Sequence, residues 1–272
     1  MKSAALRYSV LALGTAAAIA AVVPTIPFLL STRGVAGPGM MDAVHPAGAA
    51  LALALGLGAA TAIACVVGRL INAAVGLCVL GFAVAIVSMR SGTVLDAAFD
   101  GDALLPLACE TLGWSVAVAV MSAIVFRVSG PLPDIPARDP KGPFRAEIFN
   151  TDSLRGLVAG AAMVVLLWFA ARTEMKGQAL GAAVCGGIAT AFAGRRLLGN
   201  SQPILLFAAP VLAAGIAQLV TALTFKVPLV DAAVSRSLMG WSVAMPLDIV
   251  AGALVGVPLG LGWTRNGEDD GE

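Results

Sequence analysis

The chain has 272 residues, of which 59% are hydrophobic and 12% charged, more apolar side chain than a soluble domain of that size can bury. A formal net charge of +1 without a long basic run excludes the clustered cationic face that nucleic-acid binding needs. The single histidine, His45, excludes a haem held by two axial histidines of one chain. The four cysteines, Cys65, Cys78, Cys109 and Cys185, all lie in apolar stretches without a Cys-x-x-Cys spacing, so no metal site is drawn from them and they read as small packing residues. No cofactor is expected.

In chain order the apolar runs fall near 7–30, 47–67, 70–89, 104–128, 154–171, 178–194, 204–225 and 241–263. Spans of roughly 20 residues in that number would use about 160 residues and leave about 110 for short loops and one linker. The runs are too long for barrel strands and lack a two-residue alternation, so the backbone must satisfy itself within helices. The fold class expected is an all-α integral membrane protein of about eight transmembrane helices. Counting lysine and arginine at the ends of the runs places both termini in the cytoplasm. Short loops, few cysteines and abundant alanine fit a bacterial cytoplasmic membrane. Lys2 and Arg7 before an apolar run with Ala16, Ala18 and Ala20 also permit a cleaved signal peptide, an alternative that leaves the remaining topology unchanged.

Internal similarity divides the chain. Gly113-Trp114-Ser115-Val116-Ala117 recurs as Gly240-Trp241-Ser242-Val243-Ala244, and Leu95-Asp96-Ala97-Ala98 resembles Val230-Asp231-Ala232-Ala233. Upstream, Gly58-Ala59-Ala60-Thr61 matches Gly187-Ile188-Ala189-Thr190, and Leu6-Arg7 matches Leu154-Arg155. A tryptophan inside a five-residue identity is informative in a chain with only four. The expected organisation is two tandem parallel four-helix repeats, 1–128 and 154–264, with an acidic tail at 265–272. Between them, 129–153 holds Pro131, Pro133, Pro136, Pro140 and Pro143 and reads as an extended cytoplasmic strap, with Asp152 or Ser153 capping the helix that follows.

Close helix packing in lipid depends on small residues, and glycines four apart mark the expected seams: Gly156 with Gly160, Gly177 with Gly181, and Gly252, Gly256 and Gly260. The leading reading is packing within the bundle, and a homodimer seam is the alternative.

Ionisable groups within spans are costly, which singles out Asp248. Trp241 at the outer aromatic belt would put Asp248 roughly 10 Å deep on the same helix. Its repeat counterpart is Met121, so the acid breaks the symmetry, and Pro246 and Pro258 share its run. Asp248 reads either as a charge or proton site on a path or as an acceptor bonded by Gln218 or Thr224. Glu110 falls inside the fourth run or near water, depending on whether Leu104 or Trp114 marks the interface; Asp248, Glu110 and Gln218 are the candidates for a transport path. Asp96 and Asp231 are repeat equivalents on outer segments, read as caps and surface ion pairs or as an acidic vestibule. The hydroxyls of Thr61, Thr190, Ser115 and Ser242 can bond to their own helix.

No nucleophile with an adjacent base, Gly-x-Ser-x-Gly, His-Glu-x-x-His or Walker motif is present, so no catalytic residue is named. The leading expectation is a small-solute or ion transporter or channel with its path between the repeats. The alternative is a non-catalytic membrane subunit or scaffold binding another membrane protein; a lipid-processing enzyme is a weaker third.

Overall fold

The computed structural model describes residues 4–101, 104–135, 143–199, 201–224 and 227–264. Eight helices among them are long and apolar enough to cross a membrane: α1 (Ala4–Leu29), α2 (Pro46–Leu70), α3 (Ala73–Arg90), α4 (Leu104–Ser129), α5 (Phe144–Ala170), α6 (Lys176–Leu197), α7 (Leu205–Thr224) and α8 (Pro246–Trp263). Strands are absent from the described residues, apart from one isolated antiparallel bridge, Leu30 to Ala36. The all-α, polytopic membrane architecture is therefore that of the protein.

Helix ends follow local chemistry. Pro24 and Pro27 remove two backbone donors, and the last turns of α1 tighten to a 3-10 helix over Val23–Leu29. Asn72 caps α3 by accepting from the Val75 amide at 2.9 Å. The start of α5 differs from expectation. Helix begins at Phe144, directly after the last proline of the strap, and the cap of its second piece, Thr151–Gly156, is Asn150 rather than Asp152 or Ser153. Of the strap itself, Pro136 and Pro140 lie outside the described residues, as does the 265–272 tail.

The last span also differs. Instead of one helix over 241–263, a single turn, Gly240–Val243, is followed by extended Ala244 and Met245, and α8 starts at Pro246. Proline suits the first position of a helix, where no N–H is required. Asp248 therefore lies in the first turn of α8 and not deep along a helix shared with Trp241.

Among the described residues, 30–45, 91–101, 171–175 and 227–245 gather at one end of the bundle, here the loop end; the turns at 71–72, 130–135 and 201–204 lie at the other, here the termini end, with Thr264. Nearly the whole of α8 is buried, because α3 and α6 flank it on two sides. Across the two halves of the chain the packing is reciprocal: α3 lies on α8, α4 on α7, and the short helices Val94–Asp100 and Leu229–Val234 touch each other.

Small residues set these contacts. Gly81 of α3 sits against the Leu254 backbone, where a Cβ would come within 2.8 Å. Gly252, Gly256 and Gly260 form the seam against α6, meeting Ala183, Val184, Gly187, Ile188 and Ala191. Gly156 and Gly160 likewise abut Leu198 and the Ala209 backbone. The expected Gly177–Gly181 seam is not used within the chain: both glycines face open space, and α6 presents Gly186, Gly187 and Gly194 to its neighbours instead. The cysteines split, Cys65 buried, Cys78 half-buried, Cys109 and Cys185 exposed on helix surfaces, so the last two are not packing residues within the chain.

Candidate functional site

Asp248 is 1% exposed, and two of its three bonding partners lie on other helices. Its Oδ2 accepts from the Met245 amide at 3.0 Å, closing the first turn of α8. Its Oδ1 accepts from the Ser88 hydroxyl of α3 at 2.5 Å and from the Lys176 ammonium of α6 at 3.0 Å. Lys176 Nζ in turn donates to Ser91 Oγ at 3.1 Å. Three helix ends are thus joined by one carboxylate, with the lysine side chain only 12% exposed. A cation at the start of α6 is unfavourable beside the helix dipole, whereas Asp248 in the first turn of α8 is favourable, so the pair corrects α6 while stabilising α8. A serine next to a lysine is a pairing used by some hydrolases. Here the ammonium faces a carboxylate and has no lone pair with which to take the Ser91 proton.

The partners foreseen for Asp248 lie elsewhere. Gln218 on α7 accepts from the Thr111 hydroxyl of α4 at 2.6 Å and donates to the carbonyls of Trp241 and Ala244 at 2.9 and 3.0 Å. The break before α8 leaves those carbonyls without a helical partner, and one amide side chain satisfies both. Trp241 adds a bond from Nε1 to Thr221 Oγ1 at 2.9 Å, while Thr224 bonds to its own helix, at Val220. Gln218→Leu is expected to cost about 2 kcal/mol, the penalty for leaving buried polar groups unpaired. Thermal unfolding of the purified protein in detergent checks this, and an unchanged midpoint would mean that water reaches the break.

Glu110, 4% exposed, sits in the second turn of α4 and receives three donors. The amides of Met40 and Met41 reach it at 3.1 and 3.2 Å, and Trp114 Nε1 at 3.2 Å. The carboxylate is sealed by the 37–45 loop rather than open to water, and Gly39 allows that approach, since a Cβ there would meet the carboxylate itself. Asp96 accepts from the Thr93 amide and hydroxyl at 2.7 and 2.9 Å, a helix cap. Asp231 is exposed in the first turn of its short helix. Asp248, Glu110 and Gln218 thus belong to three separate networks, not one lined path.

Thr61, Thr190 and Ser115 bond to their own helices, at Leu57, Gly186 and Leu112, whereas Ser242 Oγ is buried without a partner among the described residues. At the opposite end, Arg195 pairs with Asp134 and bonds Thr264 at 3.3 Å, and Gln202 holds the strap through Leu132 and Ile135.

Two clefts matter. One, of about 640 Å³, runs between α2 and α4 and is lined by small residues, among them Ala54, Gly58 and Gly113, alternating with larger ones such as Leu57, Trp114 and Met121. The other, of about 390 Å³, lies between α1, α3 and α8 at the termini end. Among the described residues no cluster of three metal-ligating side chains forms. Sequence reasoning missed Lys176, because a lysine at a predicted interface raises no suspicion until a fold brings the acid to it.

Neither protein-family models, curated proteins nor solved structures contain a match to this chain. The fold defines an eight-helix polytopic membrane protein.

Proposed function

We propose that the protein is a membrane subunit or scaffold that seats a transmembrane helix of another protein, or of a second copy, in the groove between α2 and α4. One observation carries this reading. Gly58 and Gly113 lie in helix interiors, where glycine costs about 1 kcal/mol relative to alanine, and a Cβ on either would meet nothing within 4 Å. Internal packing therefore does not explain them; a close external helix would.

The internal similarity strengthens the argument. Gly187, which matches Gly58, packs against Gly252 and Gly256, so α6 carries α8 where α2 and α4, in contact at Gly68, part around the groove. That contrast supports a helix as occupant of the vacant seat. Lipid is the remaining partner of the outer helix faces.

A photoreactive residue placed at Ala54 in native membranes should yield a discrete protein adduct, lost with Gly58→Leu and Gly113→Leu while thermal stability holds. Adducts with lipid alone would defeat the proposal.

The transport reading draws on the reciprocal packing of α3 on α8 and α4 on α7 and asks the Asp248 network to open. Asp248→Asn combined with Lys176→Met, which leaves no buried unpaired charge, distinguishes the two. Loss of proton flux into proteoliposomes, with folding intact, favours transport; loss of assembly alone favours the subunit.

A further inference from the structure

The cleft at the termini end is amphipathic along its length. Its mouth holds Asn72, Asp134 and Arg195, and its walls are Val75, Cys78 and Phe82 of α3 with Leu259 of α8. From Asn72 to Phe82 the helix rises about 15 Å, half of a hydrocarbon core. Phe82 and Leu259 are exposed on the bundle exterior, so the slot opens sideways at membrane level as well as at its mouth.

Charge among the described residues at that end has one sign in excess. Arg7, Arg69, Arg127, Arg145, Arg155, Arg195 and Arg196 stand near helix termini against Asp134, Glu147 and Asp152. Asn72 spends its Oδ1 on the Val75 amide, so what it has left to offer is N–H. Arg195 has five N–H donors, and its contacts with Thr264 and Asp134 involve Nε and one amino group.

We infer that this cleft binds an anionic phospholipid, its phosphate at Asn72 and Arg195 and an acyl chain along Val75, Cys78, Phe82 and Leu259. A free phosphate would have no use for the apolar walls, and a zwitterionic headgroup would gain less from the arginine-rich end. Asp134 opposes the phosphate and competes with it for Arg195, which makes the site tunable in both directions.

Native mass spectrometry of the full chain in detergent, with phosphatidylglycerol and phosphatidylcholine added in equal amounts, tests this. One phosphatidylglycerol should be retained per chain with a preference of roughly fivefold, as expected for one arginine acting on the net negative charge that phosphatidylcholine's choline cancels. Arg195→Gln should bring the ratio to about one, Asp134→Asn should raise it, and Cys78→Phe, which fills the slot, should abolish retention of either lipid. Equal retention of the two lipids, an unchanged ratio in Arg195→Gln, or lipid kept by Cys78→Phe each overturns the assignment. Should Arg195→Gln fail to fold, Asp134→Asn decides alone: a ratio that stays level or falls overturns it.

Discussion

Lys176→Met is expected to destabilise the bundle by about 3–5 kcal/mol, the cost of leaving a buried carboxylate without its countercharge. Asp248 is 1% exposed, and after the substitution only the Ser88 hydroxyl and the Met245 amide would remain to face its charge. Asp248→Asn leaves the lysine as the uncompensated partner and should cost a comparable amount. The double substitution removes both charges and should recover most of the loss, since apolar replacement of a buried pair is often close to neutral. Unfolding in detergent measured as a double-mutant cycle gives the coupling directly. Single losses below about 0.5 kcal/mol would show that the pair behaves as a solvated surface bridge and does not join α3, α6 and α8.

The result also bears on function. A carboxylate whose removal is compensated by removing its lysine is a structural fastening. If the double variant folds as well as the native protein yet loses a flux or an assembly, the charge has a second use beyond holding three helices.

Hydropathy made the eight spans legible because each backbone must bond internally in lipid, and composition alone announces that need. Breaks were harder. Pro246 signalled a departure, yet periodicity could not say whether the helix would bend there or begin there; the answer depended on Gln218, on another helix, taking up the carbonyls of Trp241 and Ala244. Asp248 stood out as an acid in an apolar run, but its partner Lys176 is 72 residues away and Ser88 is 160 away, separations that only the fold closes. Glu110 was ambiguous for a related reason: its burial comes from a loop folding over it, and loop amides carry no sequence signature. The glycine seam of α8 was readable from its four-residue spacing, whereas the same spacing at Gly177 and Gly181 pointed to a seam that α6 does not use. Spacing shows that close approach is permitted and leaves open which neighbour makes it.

That distinction gives the second large prediction. Gly256→Val and Gly252→Val should each cost more than about 3 kcal/mol, beyond ordinary overpacking, because the obstruction is backbone on the facing helix. At Gly252 a Cβ would lie 2.8 Å from the Ala183 carbonyl oxygen, and at Gly256 it would lie 2.9 Å from the Gly187 Cα. Neither atom can move aside unless α6 and α8 separate, and α8 is the helix around which the bundle is built. Gly58→Ala and Gly113→Ala should do the opposite, raising stability by up to about 1 kcal/mol each, since the new methyl meets open space and the helix loses a flexible residue. Unfolding of the four variants side by side is the measurement. Equal losses at Gly58 and Gly252 would place a neighbour of this same chain in the α2–α4 groove and leave it no room for a partner helix.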